Sequence, residues 1–286
     1  MASPTSRNSV GPRLTGMALT KDHVAQFEQD GYLVVPDFIS DAECLGLREH
    51  AAKLEEQLRT DHEHVTVFST GDQAHGDDEW FLSSGDKTRG FFEDDGTHLN
   101  KIGHAMHDLD PVFSRFSRQL GLAEAATAIG FDDPRLVQSM YIFKHPGVGG
   151  EVTWHTDHTF LWTEPASVVG FWVAIDEATQ DNGCLWVIPG GHKIPVKSRF
   201  VRHGDTTTTE VFDSTPYPID QAVAVPAKRG TLVLLHGLLP HWSDVNTSDR
   251  PRQAYTLHVV DGAAAWDQDN WLQRPTMAFA GFRAQS

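Results

Sequence analysis

Leu136-Val137-Gln138-Ser139-Met140-Tyr141-Ile142-Phe143-Lys144 decides how the rest of the chain is read. The stretch is dense in aliphatic, β-branched and aromatic residues, and it is strand-sized rather than helix-sized. From Leu136 onward the same texture returns. Short apolar runs at 137–144, 152–160, 168–176, 184–189, 222–225, 231–235 and 253–260 alternate with turns built from Gly, Pro and Asp. Short strands at such spacing point to an all-β sandwich or barrel. Residues 197–221 interrupt the rhythm. They are polar, carry Thr206-Thr207-Thr208-Thr209 and read as a long loop, a feature that in compact domains is often functional.

Upstream of Leu136 the signals are helical. Thr20 caps a helix running to about Asp30, with Gly31 as its stop. A strand over 32–39 follows. Ser40-x-x-Glu43 is then a capping box that opens a second helix reaching Leu58. A third helix is expected over 110–129. Residues 1–18, rich in Ser, Pro, Gly and Arg, read as a disordered leader. No internal repeat and no interdomain linker is visible. The expectation is one domain over 19–286, mainly β with flanking helices, in a double-stranded β-helix (jelly roll, cupin-like).

Composition narrows the function. In 286 residues, 40% are hydrophobic and sixteen are Phe, ample for one large core. The net charge of −16 and pI near 5.3 leave no basic footprint for nucleic acid. No apolar run reaches the roughly 18 residues of a membrane span, and no secretory h-region is seen at the N-terminus. Two cysteines, Cys44 and Cys184, are too few for a disulfide framework. A cytoplasmic protein with a small-molecule partner is expected, with neither nucleic acid nor membrane.

The chemistry begins at Trp154-His155-Thr156-Asp157-His158. Residues two apart in a strand project to one face, so His155 and Asp157 are placed to share a metal. Two imidazoles and one carboxylate with open positions form the facial triad of ferrous oxygenases. The second imidazole is assigned to His241, with His236 as its rival. His241 opens His241-Trp242-Ser243-Asp244-Val245-Asn246-Thr247-Ser248-Asp249-Arg250-Pro251-Arg252. Arg252, at the entrance of the run 253–260, offers the always-charged fork that the far carboxylate of 2-oxoglutarate needs, and Ser243 can add a hydroxyl. His104, His145, His192 and His258 are read as structural.

The chain resembles the phytanoyl-CoA dioxygenase family. The likeness is carried by the triad and by Ser83-Ser84-Gly85-Asp86-Lys87, Asn100-Lys101-Ile102-Gly103-His104, Gln138 to Lys144, Gly149-Gly150-Glu151-Val152, Gly170-Phe171-Trp172, Asn182-Gly183-Cys184-Leu185-Trp186 and Pro189-Gly190-Gly191-His192. It spans roughly 20–275. The resemblance implies iron(II) on His155, Asp157 and His241, with Lys87, Met140, Trp172, Ser243 and Arg252 lining the 2-oxoglutarate pocket. It also implies O₂-dependent oxidation of a C–H bond, coupled to decarboxylation of 2-oxoglutarate to succinate. Trp154 and His158 depart from the family pattern and bear on the substrate. Asp157 disfavours halogenation, whose enzymes lack that carboxylate.

Two other readings stand beside this one: a metal-dependent hydrolase or isomerase on a cupin-like barrel, and a non-catalytic binding protein. The first would not need Arg252 and Ser243 as a carboxylate clamp, and an intact triad argues against the second, a protein that binds metal and 2-oxoglutarate without turning them over. For the substrate, the segment 197–221 is expected to be a lid. It opens with Lys197, Arg199, Arg202 and His203, a basic cluster in an acidic chain. An anionic substrate met by Arg199 or Arg202, with His158 beside the metal, is therefore expected.

Overall fold

The computed structural model describes residues 18–60 and 79–283. Except for Ala18, the expected leader lies outside these residues. Helix α1 (Lys21–Asp30) is capped by Thr20 and ended by Gly31 in the left-handed region, as its sequence predicts. Strand β1 (Tyr32–Val35) is shorter than expected, and α2 (Asp41–Thr60) follows the Ser40–Glu43 box, whose reciprocal hydrogen bonds are formed. Next come α3 (Glu79–Leu82), β2 (Thr88–Phe92), β3 (Leu99–His104), α4 (Met106–Leu109), α5 (Pro111–Ser117) and α6 (Leu120–Ala128). The single helix expected over 110–129 is two. The break falls at Arg118, whose guanidinium is drawn back to Asp108 and to the carbonyl of His107. Tertiary contact overrides propensity there.

The β region holds β4 (Pro134–Lys144), β5 (Val152–His155), the one-turn α7 (Asp157–Phe160), β6 (Thr163–Glu164), β7 (Val169–Ala174) and β8 (Leu185–Val187). It continues with β9 (Ser198–His203), β10 (Thr206–Val211), β11 (Val223–Val225), β12 (Leu232–His236), β13 (His241–Ser243), β14 (Arg252–Asp261), β15 (Ala265–Trp266) and β16 (Ala280–Gly281). The major sheet runs β1-β12-β7-β14-β4-β3-β2, with β16 beside β4. The minor sheet runs β11-β8-β13-β5. All pairings are antiparallel among the described residues, the arrangement of a jelly roll.

Alternation along β14 shows how the major sheet serves two layers. Tyr255, Leu257 and Val259 face outward and pack with Phe113, Phe116 and Leu122 of the helices. Arg252, Ala254, Thr256 and His258 face the minor sheet. Tyr141 and Phe143 likewise join the outer core, leaving Met140, Ile142 and Lys144 on the inner face. Burying each large outer side chain contributes about 1.5–3 kcal/mol. A one-residue slip would exchange the two sets.

Two expectations are corrected. The strand over 152–160 ends at His155, where the chain turns into α7. The segment 197–221 is not mainly loop: β9 and β10 form a hairpin closed by Gly204-Asp205, with His203 opposite Thr206. The hairpin packs on α7 through β9.

Asp110 caps α5 by accepting hydrogen bonds from Val112 N (2.9 Å) and Phe113 N (3.0 Å), and it ties that helix to α2 through His50 Nε2 at 2.7 Å. Asp110→Ala should destabilise by about 1–2 kcal/mol. In thermal denaturation this reads as a drop of roughly 2–8 °C in Tm; an unchanged Tm would refute the cap.

Candidate metal centre

His155 closes β5, and Thr156 after it stays extended (φ −121°, ψ 143°). That single extended residue carries strand alternation one step further, so Asp157 projects to the same side as His155 although it belongs to α7. His241 opens β13 and lies directly opposite His155 in the minor sheet. The three ligand atoms lie within 4.8 Å of one another, and this is the group of metal-ligating residues found among the described residues. His236 is not in it. Its ring packs on Phe27 and His192, and its Nδ1 accepts the Leu238 N–H.

The donor set suits a divalent cation. Asp157 is buried, and its Oδ1 lies 3.9 Å from His155 Nε2, 3.6 Å from His241 Nε2 and 3.3 Å from His258 Nε2. Its Oδ2 has no hydrogen-bond partner among the described residues. Burial would raise this carboxyl; the neighbouring His258 and His241 outweigh burial and hold it well below the usual carboxylate range. His155 donates its Nδ1–H to the Thr153 carbonyl and His241 its Nδ1–H to the Leu239 carbonyl, so each presents the lone pair of Nε2 to the centre. Burial pulls His155 down to about 4, keeping its imidazole neutral and available as a ligand at neutral pH. Gly170 on β7 completes the cradle: a Cβ there would stand 2.9 Å from Asp157 Oδ2.

A second polar end lies further along the inner face. Arg252 is 2% exposed, its Nε donates to the Gly183 carbonyl at 3.0 Å, and its Nη1 is buried without a partner among the described residues. Trp172 lies beneath it, with the guanidinium carbon 5.9 Å from the ring. Lys144 is its register partner on β4 and donates to the carbonyls of Gly150, Ser243 and Asp244. Burial, then the guanidinium beside it, pulls Lys144 down to about 6; burial lowers Arg252 to about 10, still charged at neutral pH. Ser243 stands on the His241 side of β13 and is buried. Between the two ends, Trp172, Thr256 and Met140 form one row across β7, β14 and β4.

Met140, Trp172, Ser243 and Arg252 thus share the compartment expected of them, but Lys87 does not join them. It is 46% exposed at the side chain and bonded to the Ser83 carbonyl and Asp86. Besides Lys144, a second lysine faces inward: Lys101 of β3, buried opposite Ile142. Burial pushes its ammonium well below the ordinary range, against the opposing pull of Glu93. A lysine set between Leu99 and Ile102 was the available signal.

The substrate candidates separate. His158 turns away toward Trp162, with ring centroids 4.3 Å apart. Arg199 lies over Trp162 and pairs with Asp267 at 2.5 Å. Arg202 donates to the carbonyls of Leu82 and Gly204. What faces the metal from this side is aromatic. Phe160 meets the His155 ring at 6.0 Å, and Phe200 of β9 meets Phe160 at 5.5 Å.

Two outcomes follow from this geometry. Gly170→Ala should weaken Co(II) binding at least tenfold in a spectroscopic titration, because the added methyl must displace Asp157; wild-type affinity would refute the cradle. His155, His158 and His236 are each lowered to about 4, chiefly by burial. Between about pH 6.5 and 4 the unfolded chain therefore binds more protons, and stability is full above that window and lost as pH falls through it. The Tm of the metal-free protein should drop from pH 7 to pH 5, and His236→Gln should flatten the slope; equal slopes would refute the assignment.

Relatives and solved structures give the family and the fold. The sequence profile described as Phytanoyl-CoA dioxygenase (PhyH) matches residues 27–254. A "Phytanoyl-CoA dioxygenase" of Arabidopsis thaliana is 41% identical over 277 residues, covering 92% of this chain and 96% of its own. "Phytanoyl-CoA dioxygenase domain-containing protein 1" of Bos taurus is 41% identical, with 89% and 95% covered. Among solved structures, EctD from S. alaskensis with 2-oxoglutarate and 5-hydroxyectoine superposes with a TM-score of 0.66 at 22% identity, covering 95% of this chain and 87% of that one. The epimerase SnoN from nogalamycin biosynthesis gives 0.67 at 17%, with 92% and 98% covered, and shares the fold. The chain belongs to the phytanoyl-CoA dioxygenase family.

Proposed function

We propose that the chain is an iron(II)- and 2-oxoglutarate-dependent dioxygenase that oxidises a C–H bond of a small organic substrate. The observation that carries this reading is the pairing of a two-His, one-carboxylate centre with a buried, partly unpartnered arginine on the same inner face. A zinc hydrolase would use the first feature and leave the second without a purpose. Family membership supports the oxygenase as well.

His155, Asp157 and His241 would hold the iron. Arg252, with Ser243, would take the distal carboxylate of 2-oxoglutarate, and Lys101, not the exposed Lys87, would be the lysine that joins Lys144 on that inner face. Trp172, Thr256 and Met140 would flank the co-substrate. When bound, iron and 2-oxoglutarate together supply an oxidant from O₂, with succinate and CO₂ as co-products. The protein's own part is orientation and exclusion of water. Phe160 and Phe200 would hold the reacting carbon of the substrate by apolar contact and keep water from it. Arg199 remains the candidate for an anionic group at the substrate's far end, because its Nε is buried without a partner among the described residues. Arg202 is taken up by backbone carbonyls and is not assigned this role. A cytoplasmic location fits the two unpaired, buried cysteines. Among the described residues no helix is long and apolar enough to cross a membrane.

The test is succinate formation from 2-oxoglutarate under air with Fe(II). It should be abolished in His155→Ala, Asp157→Ala and His241→Ala, and its absence from the unaltered chain across a metabolite panel would sink the reading. Arg252→Ala should raise the KM for 2-oxoglutarate about 30-fold or more while Fe(II) binding is kept. Arg252→Lys should recover part of the loss, since the charge returns without the fork. An unchanged KM would remove Arg252 from the site.

A further inference from the structure

We propose that His258 is a positioning residue for the metal-ligand carboxylate: its Nε2–H donates to Asp157, holds that carboxylate against Gly170 and sets the affinity of the centre for its metal. The inference rests on His155, Asp157 and His241 forming the metal site. Metal binding by the unaltered chain tests that reading separately.

His258 comes from the major sheet, whereas His155 and His241 come from the minor one. On β14 it lies opposite Gly170 of β7 and Gln138 of β4, facing inward and 5% exposed. Its Nε2 is nearer to Asp157 Oδ1, at 3.3 Å, than either ligand imidazole is. Yet it stands outside the three residues whose ligand atoms lie within 4.8 Å of one another. It therefore meets the carboxylate without belonging to the ligand cluster. Among the described residues, no other non-ligand side chain makes a hydrogen bond or ion pair with Asp157. The backbone gives no substitute, since the carboxylate sits at the start of a one-turn helix with no side-chain cap.

The tautomer follows from the surroundings. Nδ1 of His258 is buried and has no partner among the described residues. A proton on Nδ1 would be buried facing nothing, and it would turn the Nε2 lone pair onto a carboxylate oxygen. A proton on Nε2 removes both penalties. Gly170 lies beside it on the neighbouring strand: with a Cβ position 2.9 Å from Oδ2 and 3.7 Å from His258 Cδ2, it fits under both groups only because it has no side chain. The major sheet thus meets the carboxylate with a donor at Oδ1 and with close backbone at Oδ2. Partners that orient a metal's ligands typically account for 10–100-fold in affinity.

The experiment is an anaerobic Co(II) titration followed by visible absorption, run with thermal denaturation of each metal-free protein. The variants are His258→Leu, which keeps bulk without a donor, and His258→Gln, which keeps an N–H. The expected result is a 10–100-fold loss of Co(II) affinity in His258→Leu, recovery of most of it in His258→Gln, and metal-free Tm values matching the parent. Wild-type affinity in His258→Leu, equal losses in both variants, or a loss that tracks a fall in metal-free Tm would each overturn the proposal. If His258→Leu does not fold, His258→Ala takes its place in the same comparison. Failure of the parent chain itself to bind Co(II) would instead overturn the metal site.

Discussion

The structure depends on the burial of one carboxylate. Removing Asp157 from water costs several kcal/mol unless opposite charge or strong donors surround it, and three imidazoles lie within 3.9 Å of its Oδ1. Much of the local architecture serves that arrangement. β13 must pair with β5 in a register that sets His241 against His155. Thr156 must stay extended before α7 begins, or Asp157 would turn away. Gly170 must lack a side chain. Trp154 and Trp242, alternating with the ligands, stack on the outer face of the minor sheet at 5.9 Å and keep the ligand strands from shearing.

The opposite sign is buried at the other end of the same compartment. Arg252 and Lys144 are neighbours across β14 and β4, two basic groups out of water. Lys144 is held by carbonyls of the turns that follow β13 and precede β5, so it fastens the same two ligand strands. Arg252 has one nitrogen with no partner among the described residues. A metal-binding end and an anion-binding end on one inner face are complementary to a molecule with a chelating keto acid and a distant carboxylate. That charge pattern, more than the jelly roll itself, separates an oxygenase from other chemistries on such folds.

The sequence was legible where local chemistry and tertiary structure agree. The α1 and α2 caps and the strand-sized runs that become β4 and β14 follow from residue type and spacing, and the His155–Asp157–His241 set, read from a His-x-Asp pair and the context of His241, comes together in space. It was opaque where distant groups intervene. Arg118 breaks a helix because Asp108 attracts it, and nothing in 110–129 announces that. β2 and β3 escaped notice because their inward positions carry Arg89, Lys101 and Gly103, which break the apolar alternation. The hairpin β9–β10 was missed although Gly204-Asp205 between two β-branched stretches is a turn signal. Lys87 was named from motif resemblance, which says nothing of which way a lysine faces.

The same limit explains the basic cluster at the start of 197–221. In sequence, Lys197, Arg199 and Arg202 stand together without counter-ions. In the fold, Asp213 returns along the hairpin to Lys197, Asp267 arrives from beyond β15 to meet Arg199, and Arg202 braces the carbonyls of Leu82 and Gly204. Lys197 and Arg202, so placed, brace the hairpin and the segments beside it. Strand alternation then puts Phe200, not its charged neighbours, beside Phe160 and the metal-ligand His155. An apolar wall suits the chemistry next to it. A C–H bond offers no hydrogen bond to grip, so the reacting carbon is best held by shape and by the exclusion of water.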